Sequence, residues 1–296
     1  MYSAELESAI RLDVFRWLDR KLSSGINEIS RDELLEYRFE GQRIPLVDRN
    51  RGIRNPKDFN ATLSILTSPN GPYQDIEGVD GLVHYAYRAG DAHSGDNVKL
   101  RRAIDTRVPL VYFQGVHTGS YVPVYPVYVV GDDLERRTFA IALDQSVTFF
   151  DDPMNLAEPQ RSYAERLVHQ RLHQPMFRAR VITAYDRSCA VCRLKHPDLL
   201  DAAHILPDAT IGGVPRVTNG LALCKIHHAA YDRNLMGITP DYEVRINADL
   251  LAEVDGPMLR HGLQDMHGTV IGVPTRRNEH PSREALAVRF DEFVAG

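Results

Sequence analysis

The chain has 296 residues, of which 43% are hydrophobic and 25% charged, and its formal net charge is −5 at pH 7. Such a length supports one large core or two ordinary ones, and the composition is that of a globular protein. The negative balance excludes a protein that coats nucleic acid through bulk charge, and no apolar run reaches the roughly 18 residues of a membrane span.

The first predicted element covers residues 3–22, where Leu6, Ile10, Val14, Trp17 and Leu18 fall on one helical stripe. Its acidic residues differ from the basic and apolar blocks of a secretory leader, so the expectation is a cytoplasmic protein. SRDELLEY then predicts a short helix, with Ser30 and Glu33 at capping-box spacing. From Gly41 to about Asp151, Gly, Pro, Asn and Asp punctuate runs such as LVHYAYR, VPLVYFQG and VPVYPVYVV. These β-branched and aromatic runs predict a sheet or partly closed barrel. DDPMN at 151–155 reads as a linker, which divides the chain into domains 1–151 and 152–296. A helical period resumes in SYAERLVHQRLHQPMFRARVITAY, broken at Pro175. Past residue 237 come a short strand pair and a last helix around Arg283 to Phe293. The fold class is α+β.

Between Arg161 and Arg193 there are seven arginines against two acids, Glu165 and Asp186. Among them Arg166, Arg171, Arg178 and Arg180 are candidates for phosphate contact, the alternative being a solvated helix face. The three cysteines occupy one pattern, Cys189-x-x-Cys192 followed by Cys224-x-x-His227. Two knuckles of this spacing supply four ligands for a structural zinc ion, a staple for a region poor in apolar residues.

After the first knuckle and running through the second is LLDAAHILPDATIGGVPRVTNGLALCKIHHAAYD, which resembles the HNH, or ββα-metal, endonuclease family. That family's pattern is a histidine on a strand, an asparagine in the turn and a histidine on the following helix. His204, Asn219 and His228 match it in order, over about residues 177–235. The resemblance implies a nuclease acting on double-stranded DNA. Chemically, His204 takes the proton from the attacking water, while a divalent ion, Mg²⁺ or Mn²⁺, neutralises the leaving oxygen. His228 and Asp232, four residues apart on a helix, face that ion together, and Asn219 orients His204 through the backbone. Many family members carry a metal ligand directly before the first histidine, where this chain has Ala203; Asp201, two residues earlier on the same strand face, and Asp208 are the substitutes.

Residues 40–150 resemble the SRA/PUA-like modules that read modified cytosine. The matching features are Asp80-Gly81, the alternating Tyr85 and Tyr87, a Gly/Asp-rich loop, and Asp96-Asn97 opening a helix. A flipped base needs a stacking ring and a hydrogen-bond partner, which assigns Tyr85, Tyr87 and Asp80 to a base pocket. The expectation is a homodimeric, modification-dependent restriction endonuclease, a reader barrel with flanking helices joined to an HNH cutter. Two alternatives stay open: an HNH nuclease acting on unmodified DNA, and a zinc-stapled DNA-binding regulator that has lost its chemistry.

Overall fold

The computed structural model describes residues 1–23, 28–69, 80–207 and 216–295, and the backbone of 76–77. It divides into two compact units, Met1–Pro175 and Met176–Gly296.

The first unit begins with helix α1 (Ala4–Leu22), whose N-terminus is capped by the Ser3 hydroxyl accepting from the Leu6 amide. Ile10, Val14 and Leu18 are buried as the stripe predicts, whereas Leu6 is 37% exposed. Strand β1 (Ile29–Ser30) leads into α2 (Arg31–Leu35), and the Ser30–Glu33 capping box forms in full. Strands β2 (Arg38–Phe39) and β3 (Gln42–Arg43) make a hairpin through Glu40 and Gly41, both at positive φ, the two-residue turn that matches strand twist.

The main sheet comprises β4 (Ile53–Arg54), β5 (Ser64–Thr67), β6 (Ile76–Glu77), β7 (Val83–Ala86), β8 (Leu110–His117), β9 (Ser120–Asp133) and β10 (Thr138–Ala142), with β1 paired to β9. Helix α3 (Asp96–Thr106) connects β7 to β8. The order is β4-β5-β8-β9-β10-β7-β6; β5 and β8 run parallel and the other pairs antiparallel. Among the described residues this is an open path with β4 and β6 at its ends, so the expected barrel is present as a sheet that does not close on itself.

Helix α4 (Glu158–Val168) buries Ala164 and Val168 against this sheet's cores, and Leu172 joins them. For this reason the units divide at Pro175, whereas the linker composition put the boundary near residue 152. Gly81 sits at φ +76 with the backbone of Ala164 and Glu165 so close that any side chain would collide. The helix is not broken at Pro175. A π-helical turn over His169–His173 passes into α5 (Gln174–Ala184), and that wider turn accommodates a proline with no amide hydrogen to donate.

The second unit contains β11 (Leu200–His204), β12 (Gly220–Cys224), α6 (Lys225–Asp232), β13 (Met236–Ile238), β14 (Val244–Ile246), α7 (Ala248–Ala252), α8 (Pro257–Gly262) and α9 (Arg283–Ala295). β11 and β12 pair antiparallel, as do β13 and β14. Phe177 and Val181, at helical spacing on α5, and Tyr185 just past its end pack with Leu200, Ala203, Leu221, Leu223 and Tyr231 in one core. Among the described residues no helix is long and apolar enough to cross a membrane.

Candidate functional site

Cys189 and Cys192 sit in the turn between α5 and β11, Cys224 ends β12, and His227 lies in the first turn of α6. Their ligand atoms all fall within 4.8 Å of one another. Cys192 Sγ is 3.9 Å from Cys224 Sγ, and His227 Nδ1 is 3.0 and 3.5 Å from the sulfurs of Cys224 and Cys189. A tetrahedral ion with bonds of about 2.3 Å to sulfur separates its ligand sulfurs by about 3.8 Å, so the group fits such an ion. His227 Nε2 donates to the Gly262 carbonyl at 2.8 Å, which fixes the tautomer that leaves Nδ1 free to ligate. Hydrogen bonds with Cys192 and Cys224 hold the Cys189 thiol far below the ordinary value, and contacts with Cys189 and Cys224 push Cys192 up. Burial alone would lower the His227 imidazole, yet its contacts with Cys189 and Cys224 raise it to about 9.

The strand pair and α6 set the remaining residues. His204 ends β11 directly opposite Gly220. Its ring lies flat on Phe177, with centroids 3.9 Å apart and planes 9° from parallel. Asn219 is buried and closes the turn: its Oδ1 accepts from the Leu206 amide at 3.0 Å and its Nδ2 donates to the Leu206 carbonyl at 2.9 Å. The Ile205 amide donates to the Asn219 carbonyl at 2.9 Å, so the backbone just past His204 is tied on both sides.

His228 lies between two carboxylates, its Nδ1 3.4 Å from Asp201 Oδ2 and its Nε2 3.3 Å from Asp232 Oδ2. Asp201 Oδ1 meets the Arg178 guanidinium at 3.0 Å. The hydrogen bond to Asp201 raises the His228 imidazole against the opposing effect of burial. Burial would raise Asp201, but His228 and Arg178 together bring its carboxyl below the ordinary value. Ala203 is fully buried in the core, whereas Asp201 on the same strand reaches this charged cluster. Asp208 lies outside the described residues.

Of the four candidate phosphate arginines, Arg178 is largely occupied by Asp201, and Arg171 donates to the Tyr125 and Pro126 carbonyls. Arg166 is exposed and Arg180 half-buried. In the first unit, Tyr85 and Tyr87 are 6% and 3% exposed and belong to its core, yet both line a cavity of about 410 Å³. The Tyr85 hydroxyl donates to the Leu66 carbonyl at 3.2 Å, and the Tyr87 ring packs against Phe139 with guanidinium groups of Arg101 and Arg137 near its faces. Asp80 is not among the lining residues: it pairs with His84 at 2.8 Å and accepts from the Leu82 amide. The lining instead includes Asp48, Arg49 and Arg51, whose only sequence signal is the charge cluster DRNRG, together with Arg31 at the start of α2 and Arg88 just past β7.

Gly220 escaped the sequence reading because only the strand register brings it to His204, and Phe177 because only the packing of α5 does; the i, i+4 spacing of Phe177 and Val181 announces nothing more than a buried face. A family model described as HNH endonuclease matches residues 189–239. Two solved structures are similar to the chain. One is a modification dependent TagI restriction endonuclease, 16% identical, over 82% of this chain and 85% of that one, with a TM-score of 0.31. The other is the type IV phosphorothioation-dependent restriction endonuclease ScoMcrA, 15% identical, over 62% of this chain and 48% of that one, with a TM-score of 0.24. No curated protein matches. A strand pair ending in His204, an asparagine-closed turn and a helix carrying His228 make residues 189–239 of this chain an HNH endonuclease domain.

Proposed function

We propose that the chain is a metal-dependent endodeoxyribonuclease that restricts DNA carrying modified cytosine. The observation that carries the nuclease reading is the joint arrangement of His204 on β11, Asn219 in the turn before β12 and His228 on α6. His204 accepts a proton from the attacking water as general base, with Asn219 holding the backbone that presents it. His228, with Asp232 or Asp201, would hold a divalent ion, and the carboxylate oxygens suit Mg²⁺ or Mn²⁺. The ion, when bound, neutralises charge on the scissile phosphate and the leaving oxygen. Because the two carboxylates face opposite nitrogens of His228, one of them shares the ion with the ring while the other orients it. Cys189, Cys192, Cys224 and His227 hold a structural Zn²⁺, and Arg166 and Arg180 contact DNA phosphates.

The reader of the modification is the first unit, with the extrahelical base entering the cavity beside Tyr85 and Tyr87. Asp48, the only carboxylate among the described lining residues, is the acceptor for an exocyclic amine, since Asp80 is engaged with His84. One site per chain cuts both strands most simply as a homodimer.

Cleavage of matched plasmids, unmodified or carrying 5-methyl- or 5-hydroxymethylcytosine, tests this with Mg²⁺ or Mn²⁺ at low salt. The expected result is cutting of the modified plasmid alone, abolished by EDTA and by His204→Ala. Equal cutting of both plasmids would remove the modified-base reader and keep the nuclease; no cutting of any substrate, with DNA binding intact, would leave a zinc-stapled binding protein.

A further inference from the structure

The His204 imidazole is held by more than its backbone. Strand pairing and the Asn219 clamp fix where its Cα sits, but neither fixes the rotation of the ring about its own side-chain bonds. That rotation decides where the two nitrogens point, and a general base works only when one of them meets the water within hydrogen-bond reach. The ring is in parallel contact with Phe177, at 3.9 Å between centroids and 9° between planes. Phe177 is itself 3% exposed and wedged in the core with Val181 and Tyr185, so its own rotamer is set by packing.

Space for this stack comes from Gly220, directly across the strand pair from His204. A Cβ at that position would stand 2.9 Å from Phe177 Cζ and 2.4 Å from Val181 Cγ2, closer than carbon atoms pack. Gly220 has an ordinary extended backbone, φ −129°, so the glycine is required for room and not for conformation. A face-to-face contact is disfavoured between two plain aromatic rings, whereas an imidazolium, the form the base reaches once it has taken its proton, is attracted to the negative face of the phenyl ring. One face of His204 is thereby covered by the phenyl ring.

We propose that Phe177, admitted by Gly220, is a positioning residue that locks the plane of the His204 ring and aims its nitrogen at the attacking water. This rests on the reading of His204 as general base. A misplacement of the order of 1 Å at such a group costs up to about a hundredfold in rate. Phe177→Leu, which keeps apolar volume and loses the flat ring, is therefore expected to lower kcat at least tenfold with KM for DNA within about twofold. Phe177→Tyr, which keeps the ring, is expected to retain most of kcat. Gly220→Ala reaches the stack from the other side and is expected to lower kcat in a like manner.

The stack has a signature independent of cleavage. Ring current from Phe177 shifts the His204 carbon-bound ring protons upfield in a histidine proton NMR spectrum, the signals being those lost in His204→Gln. Phe177→Leu is expected to return them toward ordinary histidine positions, with the thermal transition and bound zinc retained. The proposal is overturned if those signals are not upfield in the wild type, or if folded Phe177→Leu keeps wild-type kcat. It is equally overturned if Phe177→Tyr loses as much kcat as Phe177→Leu while both stay folded. Should the wild type cut no DNA but show the shifted signals, the stack stands and the general-base reading falls.

Discussion

One side-chain amide, Asn219, satisfies both backbone polar groups of Leu206 and thereby holds the turn behind His204. Asn219→Ala strands a donor and an acceptor in a part-buried turn, each costing about 1–3 kcal/mol, so the melting temperature of the second unit and cleavage are both expected to fall. Asn219→Asp keeps the acceptor but not the donor, and its melting temperature is expected to lie between the two. The arginines separate by the same reasoning. Arg178 is largely occupied by Asp201 at 3.0 Å, so Arg178→Ala is expected to reduce cleavage and leave the salt dependence of DNA binding unchanged. Exposed Arg166 is the converse case: Arg166→Ala is expected to reduce the slope of log affinity against log salt by about one. Titration of binding between 50 and 200 mM salt distinguishes them, those concentrations being roughly the range over which such contacts weaken.

At the scale of elements, local signals were legible and long-range ones were not. The Ser30–Glu33 capping box forms as read, because both its bonds lie within four residues. The Cys189–Cys192 and Cys224–His227 pairs are likewise local spacings, and the fold brings the two knuckles together. Pro175 misled, because the π-helical turn that accommodates it has no mark in the residues themselves. Asp80 reads as a free acceptor until His84, four residues on, is seen to engage it. Strand alternation offered Asp201 as a candidate, whereas its partner Arg178, on α5 and 23 residues earlier, has no local mark. The metal group makes the largest expected effect here. Cys224→Ser removes a buried ligand at the junction of β12 and α6, so loss of one equivalent of zinc by metal analysis is expected, with the helix signal of the second unit reduced.

For the whole molecule, the two units have separate cores, one built on the eight-stranded sheet and the other on the knuckles and the ββα motif. A staple confined to one core stabilises that core alone. Removing zinc with a strong chelator is therefore expected to shift the calorimetric transition of the second unit to lower temperature, with that of the first unit in place. A single transition moving as a whole would contradict that independence. The first unit's sheet was legible in kind from its β-branched runs, whereas its openness depends on strand pairings that no single run encodes.

The Asn219 clamp also acts as a ruler. Leu206 and Asn219 are 13 residues apart in the chain, yet one amide holds both backbone polar groups of Leu206, and the Asn219 carbonyl holds the Ile205 amide beside it. The strand pair that ends at His204 and Gly220 is thereby closed by a side chain at the site itself, so a slip of one residue in its register would break three hydrogen bonds at the point where the base is held.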